Sequence, residues 1–240
     1  MKDLINEKTD FAQTITLLSL LHISDSQLPI GGYAHSYGLE TYVQKNIVHN
    51  RATAQEFLHN LLFFNTFYND AAFVNMAFQY AEENNFDNII QLDELVSATK
   101  HPSEIRLASQ KLATRFLKIL LEINPTNDIL HYQNAVETKK ITGHYAIIFG
   151  IAAQNFGIKR LDTLTAFYYN TAASIVTNCV KLIPLGQIEG QRLLFTAQKW
   201  IVELVERTDT ILPKDIGRST IGFDIRAMQH ERLYSRLYMS

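Results

Sequence analysis

The chain contains one cysteine, Cys179, in 240 residues. A single thiol excludes an internal disulfide framework and any zinc site built on several thiolates. It fits a reducing compartment, and a cytoplasmic location is expected. Proline and glycine are also scarce, 5 and 10 residues, and a chain of many tight turns needs more of both, so helices are favoured. Charge of one sign is not in excess either. The 22 Lys and Arg against 24 Asp and Glu leave a formal net charge of -2, without the whole-domain basic footprint of a nucleic-acid binder. The opening residues carry Lys2, Asp3, Glu7, Lys8 and Asp10 and do not form a signal peptide. The uncharged stretch from Thr163 to Val180 holds Asn170, Thr171, Ser174, Thr177 and Asn178, which makes it too polar to span a membrane. What is present is apolar material. Hydrophobic residues at 47% and charged residues at 19% suffice for a large core, and the length fits one domain.

Helical periodicity recurs through most of the chain. Phe11 to Ile23 carries a broad apolar stripe through Ile15, Leu18 and Leu21. Thr53-Ala54-Gln55-Glu56 has capping-box spacing and leads into Phe57, Leu58, Leu61, Leu62 and Phe64 on a helix to about Tyr68. Asn69-Asp70 ends that helix and starts another through Phe73, Val74, Ala77 and Phe78. A further helix over 88–100 stops before His101-Pro102. Ser103 is expected to cap a helix over 104–122, with Ile105, Ala108, Leu112, Phe116 and Ile119 on one face. Asn124-Pro125 is a turn before a short helix to about Glu137. Helices over 144–156 (closed by Gly157), 161–181 and 188–206 follow. Strand and hairpin signals are weak. The expected fold is all-α, a single compact domain of about ten helices over 1–212, with a C-terminal interaction tail over 213–240.

Two segments break the helical pattern. The first runs from Asp25 to Glu40 and includes Pro29, Gly31, Gly32, His35 and Ser36, an irregular loop between helices. It reads either as a loop ordered by its own turn chemistry or as a site. An Asp25-Ser36-His35 hydrolase triad lacks the Gly-x-Ser-x-Gly elbow, and a phosphate loop lacks its Gly-Lys-Ser/Thr ending. An enzyme here would show a deep pocket with perturbed titrating groups.

The second segment is the tail. Between Lys214 and Ser240, five positive residues stand against three negative ones, among Ile216, Ile221, Phe223, Ile225, Met228, Leu233, Tyr234, Leu237 and Tyr238. Aromatic and Arg side chains mixed with apolar ones are what interface centres favour. The alternative is a tail packed on its own core. Leu233, Tyr234, Leu237 and Tyr238 are expected to share one face of a final helix. The eight histidines are scattered without a metalloprotease spacing, so no metal site, cofactor or catalytic residue is nominated; His230 beside Glu231 is at most a weak metal candidate. Cys179 reads as a small buried residue.

Five stretches in order resemble the urease accessory protein UreF family. They are Ser24 to Glu40; Glu104-Ile105-Arg106-Leu107-Ala108-Ser109; Gly143-His144-Tyr145 through Gly150; Val180-Lys181-Leu182-Ile183-Pro184-Leu185-Gly186-Gln187; and Met228 to Ser240 with its His230-Glu231-x-x-Tyr234-Ser235-Arg236-Leu237 signature. Lys181 stands where arginine is common in that family. The resemblance implies an all-helical, dimer-forming adaptor without activity of its own. It would join the accessory protein UreD (UreH) and the GTPase UreG on apo-urease (UreABC) for GTP-dependent nickel insertion. It further implies a tail that is disordered alone and ordered against UreD. On that basis Arg226, His230, Glu231, Tyr234, Ser235, Arg236 and Leu237 are expected to bind UreD. Pro29, Gly31, Gly32, His35, Ser36, Glu40, Lys181 and Gln187 are expected to face UreG or a second copy of the chain. A regulator of the UreG GTPase is the nearest alternative, and a helical hydrolase is the other. Neither nucleic acid nor membrane is an expected partner.

Overall fold

A helix with apolar side chains all round is stable only when surrounded by protein, and residues 146–153 form such a run: every one of them is buried. The computed structural model describes the backbone of residues 2–32 and 35–238 and the side chains from residue 11 onward. Tyr33 and Ala34 of the loop motif, and Met239 and Ser240 of the tail motif, lie outside the described residues. The helices in chain order are α1 (Lys2–Ile23), α2 (Leu39–Gln44), α3 (Arg51–Asn60), α4 (Asp70–Glu82), α5 (Phe86–Thr99) and α6 (Ser103–Ile123). Then come α7 (Asn127–Glu137), α8 (Tyr145–Asn155), α9 (Arg160–Leu182), α10 (Gln187–Arg207) and α11 (Ile221–His230). There is no strand among the described residues, and the all-α expectation holds.

α8 is the central rod. α4, α6, α7, α9 and α5 pack around it, and α10 pairs with α9 on the outside. The α4–α8 crossing is the tightest. A Cβ built at Gly150 would lie 2.6 Å from the Val74 carbonyl oxygen and 3.0 Å from the Phe78 nitrogen, so only glycine lets the two backbones meet. Phe116, Tyr145, Phe149 and Phe167 form an edge-and-tilt aromatic cluster along this core. The loop between α7 and α8 is fixed by Asp93, whose carboxylate accepts the amides of Thr142 (2.8 Å) and Gly143 (3.0 Å).

Several expectations are corrected. The capping box sits three residues earlier than Thr53–Glu56. Asn50 is the N-cap, its Oδ1 accepts the Thr53 amide, and Thr53 Oγ1 accepts the Asn50 amide in return. The helix expected to run straight to Tyr68 passes through a π-turn over Leu61–Thr66, which leaves Phe64 more than half exposed instead of on the buried face. Ser103 is the first helical residue after Pro102 rather than a cap, and its hydroxyl donates to Glu231 instead. The last helix ends at His230, so Leu233, Tyr234, Leu237 and Tyr238 share no helical face. The reason is tertiary: the amides of Leu237 and Tyr238 donate to the Glu40 carboxylate and are lost to an i→i−4 ladder. The stripe on α1 forms as expected, but Phe11, Ile15, Leu17, Leu18 and Leu21 are exposed, uncovered by the rest of the chain.

Candidate partner interface

The motif-bearing segments, far apart in sequence, meet on the body. Asn178 of α9 donates to the His35 carbonyl at 2.9 Å, and Arg115 of α6 donates to the Ile30 carbonyl at 2.9 Å, which together hold the Asp25–Glu40 loop. Ser109 of α6 lies 3.2 Å from His144 Nδ1 and accepts the Tyr145 amide at the start of α8. His144 Nε2 lies 2.8 Å from Ser97 Oγ.

The tail closes over the loop. Gly38, at φ 79°, faces the α11 backbone so closely that a Cβ would sit 3.1 Å from the Ala227 nitrogen. Thr41 Oγ1 donates to the Arg226 carbonyl, and the Arg226 guanidinium stacks over Tyr42. His230, fully buried, lies between two carboxylates, with Nδ1 2.7 Å from Glu104 Oε2 and Nε2 3.0 Å from Glu40 Oε2. Arg236 donates to Glu104 Oε1 at 2.6 Å, Leu237 N–H to Glu40 Oε1 at 2.7 Å, and Gln44 to the Ser235 carbonyl at 3.0 Å. In the structure the tail packs on the body of its own chain, where these carboxylates accept from its donors.

Among the expected interface residues, Pro29, Glu231, Tyr234, Ser235, Arg236 and Leu237 are exposed, as are Lys181 and Gln187 at the corner where α9 passes into α10. Gly31, Gly32 and Arg226 are half-buried. His35, Ser36, Glu40 and His230 are buried, and their side chains present no surface to a partner in this conformation. The structure also joins what the sequence reading kept apart: Glu40 belongs to the loop segment but binds the tail. Glu104, Gln44 and Ser103 belong to the same constellation and were not nominated. The Glu-x-Arg-x-Ala-Ser stretch contains Glu104 and was the signal available for it.

The chemistry of the loop does not assemble a triad. A cavity of about 350 Å³ does open beside it, lined by Asp25, Ser26, His35, Tyr37, Lys100 and Ser109 among others. Burial, with help from Lys111 and Arg115, pushes His35 down to about 4. Yet the buried Ser36 hydroxyl has no hydrogen-bond partner among the described residues, so no base is placed to take its proton, and Asp25 is occupied in a turn with the Gln27 amide. Among the described residues no group of three His, Cys, Asp or Glu side chains is arranged to hold a metal ion. No described helix is long and apolar enough to cross a membrane.

The family model for UreF matches residues 48–198. A urease accessory protein UreF from Haemophilus influenzae strain PittGG is 45% identical over 92% of this chain and 94% of its own. The chain belongs to the UreF family. Relatives of the same description from Actinobacillus pleuropneumoniae serotype 5b and from Bacillus sp. strain TB-90 are 41% and 32% identical, over 92% and 93% of this chain and 98% and 99% of theirs. In this UreF-family chain the motif residues thus serve first to tie segments together.

Buried titrating groups in these ties make the fold acid-sensitive. Burial holds His144 at about 3 and His35 at about 4, below the ordinary 6.5 for histidine. The unfolded chain protonates first, so the stability these groups give is complete above pH 6.5 and falls as pH drops toward those values. Asp93, raised to about 6 by burial from 3.8, acts in the opposite direction between those two values. Two histidines against one carboxyl leave a net loss of stability as pH falls from 6 to 4. Urea unfolding along a pH series measures this, and constant stability over that range would refute it.

Proposed function

We infer that this UreF-family chain is a non-catalytic cytosolic adaptor in urease maturation. It holds a UreD (UreH)-type accessory protein and a UreG-type GTPase on apo-urease (UreABC) while nickel, the cargo, is delivered in a GTP-dependent step. The observation that carries this reading is likeness to urease accessory proteins over nine-tenths of the chain. The physical features agree with it. Tyr234 is fully exposed and Leu237 is 65% exposed on a tail anchored by its neighbours, and aromatic and apolar groups displayed on an anchored segment are the material of binding hot spots. The apolar face of α1 is a second uncovered surface.

The 213–240 segment is assigned to the UreD-type partner through Arg226, Glu231, Tyr234, Ser235, Arg236 and Leu237, with His230 holding the segment in shape. Pro29, Gly31 and Gly32 of the loop, with Lys181 and Gln187 at the corner, are assigned to the GTPase or to the second copy of a homodimer. His35, Ser36 and Glu40 support that loop from beneath.

Co-expression with the partners tests the reading. Tyr234→Ala and Leu237→Ala, both on exposed side chains, should leave helicity unchanged and weaken the UreD-type complex by about 30-fold each, the equivalent of about 2 kcal/mol at a hot spot. A double variant that co-purifies at the wild-type yield overturns the tail assignment. Lys181→Ala with undiminished recruitment of the GTPase removes the corner.

A further inference from the structure

We propose that the cavity beneath the Asp25–Glu40 loop is a binding site for a small neutral aromatic molecule that carries a hydroxyl group. A helix packed in a core ordinarily turns apolar residues inward. α9 instead presents Asn170, Thr171, Ser174, Thr177 and Asn178 to the cavity. Asn170 donates to the Ser24 carbonyl at 2.7 Å, Thr171 to the Phe167 carbonyl at 3.0 Å, and the Asn178 side-chain nitrogen to the His35 carbonyl. Two polar atoms are left over. Asn178 is 1% exposed, and its Oδ1 has no hydrogen-bond partner among the described residues; the buried Ser174 Oγ has none either. A buried acceptor without a donor is costly, and a bound group that supplies the donor removes that cost.

The leftover atoms and the walls define the ligand. Ser174 and Asn178 stand four residues apart on one face of α9, one above the other. A single hydroxyl between them can donate to Asn178 Oδ1 and accept from Ser174 Oγ. Much of the remaining wall is apolar, with Ile23, Leu28, Ile30, Leu112, Tyr145 and Phe167. The volume, about 350 Å³, stands at the lower end of the range for small-molecule sites. An apolar cavity of about 150 Å³ takes up benzene, so this one has room for two fused rings, on the order of ten non-hydrogen atoms. Charge argues against an ionic ligand. Lys100 and Asp70 on the wall are paired with each other at 2.8 Å, burial holds His35 neutral, and Asp25 is exposed in its turn with the Gln27 amide. An ionic group inside would be buried without a counter-charge of its own. An occupant touches Ser26, Leu28 and Ile30 on one side and α6 and α9 on the other, so it braces the loop on the body.

The isolated full-length chain at neutral pH provides the test, and with no partner present its failure leaves the adaptor reading standing. The probes are β-naphthol and β-methylnaphthalene, which share two fused rings and differ by a hydroxyl against a methyl group. Titration calorimetry should give saturable one-to-one binding of β-naphthol, with a Kd on the order of 100 µM or tighter. β-Methylnaphthalene should bind at least tenfold more weakly, because it leaves Asn178 Oδ1 without a donor. Amide NMR shifts during the titration should centre on Ser26, Ser174 and Asn178. Ser174→Ala should narrow the preference between the probes. Ser174→Phe puts a ring into the cavity and should abolish binding of both, with helicity by circular dichroism as the check on folding. Should that variant unfold, the wild-type preference and the shift map decide. Absence of saturable binding, as in a cavity that takes only water, overturns the proposal. Equal affinity for the two probes, or shifts centred elsewhere, overturns it as well.

Discussion

Gly150→Ala is expected to destabilise the chain by about 3 kcal/mol, although alanine is the better helix former by about 1 kcal/mol. The new methyl group would meet the Val74 carbonyl oxygen at 2.6 Å, the Ala77 Cβ at 3.0 Å and the Phe78 nitrogen at 3.0 Å. Two of those atoms are backbone of α4 and cannot turn aside, so the α4–α8 pair must separate and the core around Phe73, Ile147 and Phe149 must repack. Gly190→Ala on α10 is the control. There the nearest atom is Val180 Cγ2 at 2.7 Å, a side-chain methyl that a rotamer change can move. Urea unfolding should place the α10 variant within about 1 kcal/mol of wild type and the α8 variant well below it. Equal losses would mean that the backbone contact is not what limits the site.

Glu40→Ala is expected to release the tail. The substitution strips the acceptor from buried His230 and from the amides of Leu237 and Tyr238, and leaving buried polar groups unpaired in this way costs about 3 kcal/mol. The tail can escape that cost by leaving, so global stability falls only by the free energy with which the tail was docked. The larger signal is local. Amide protection of residues 237 and 238 should drop by about a hundredfold, the equivalent of that energy, while the exchange of α8 stays slow. A tail that remains protected in Glu40→Ala would show that Arg236, Gln44 and Thr41 hold it without the carboxylate.

These two expectations differ in how far the sequence anticipates them. Helices were legible because their signals are local. Spaced apolar residues read correctly as α4, α6, α9 and α10, proline before α6 marked a boundary, and Gly157 marked the end of α8. Boundaries failed where a competing local partner existed, as at Asn50 against Thr53, or where the helix slipped into a π-turn at Leu61, which no residue type announces. The tail helix failed for a different reason. Its residues have helical spacing, but a carboxylate nearly two hundred positions earlier takes their amides.

The candidate site shows the same division. Composition alone marked the tail as unusual, and the quoted motifs pointed to the family. Neither disclosed that Glu40, Glu104, His230 and Arg236 form one cluster, or that four of the nominated residues lie beneath the surface.

By itself, then, the sequence determined the class of fold, the order of the helices and the likeness to urease accessory proteins, because periodicity, capping and motif order are properties of neighbours along the chain. The tertiary structure alone decided which side chains are displayed and which are locked inside. Burial, and the pairing of a histidine with two carboxylates, depend on groups that only folding brings within three ångströms of each other.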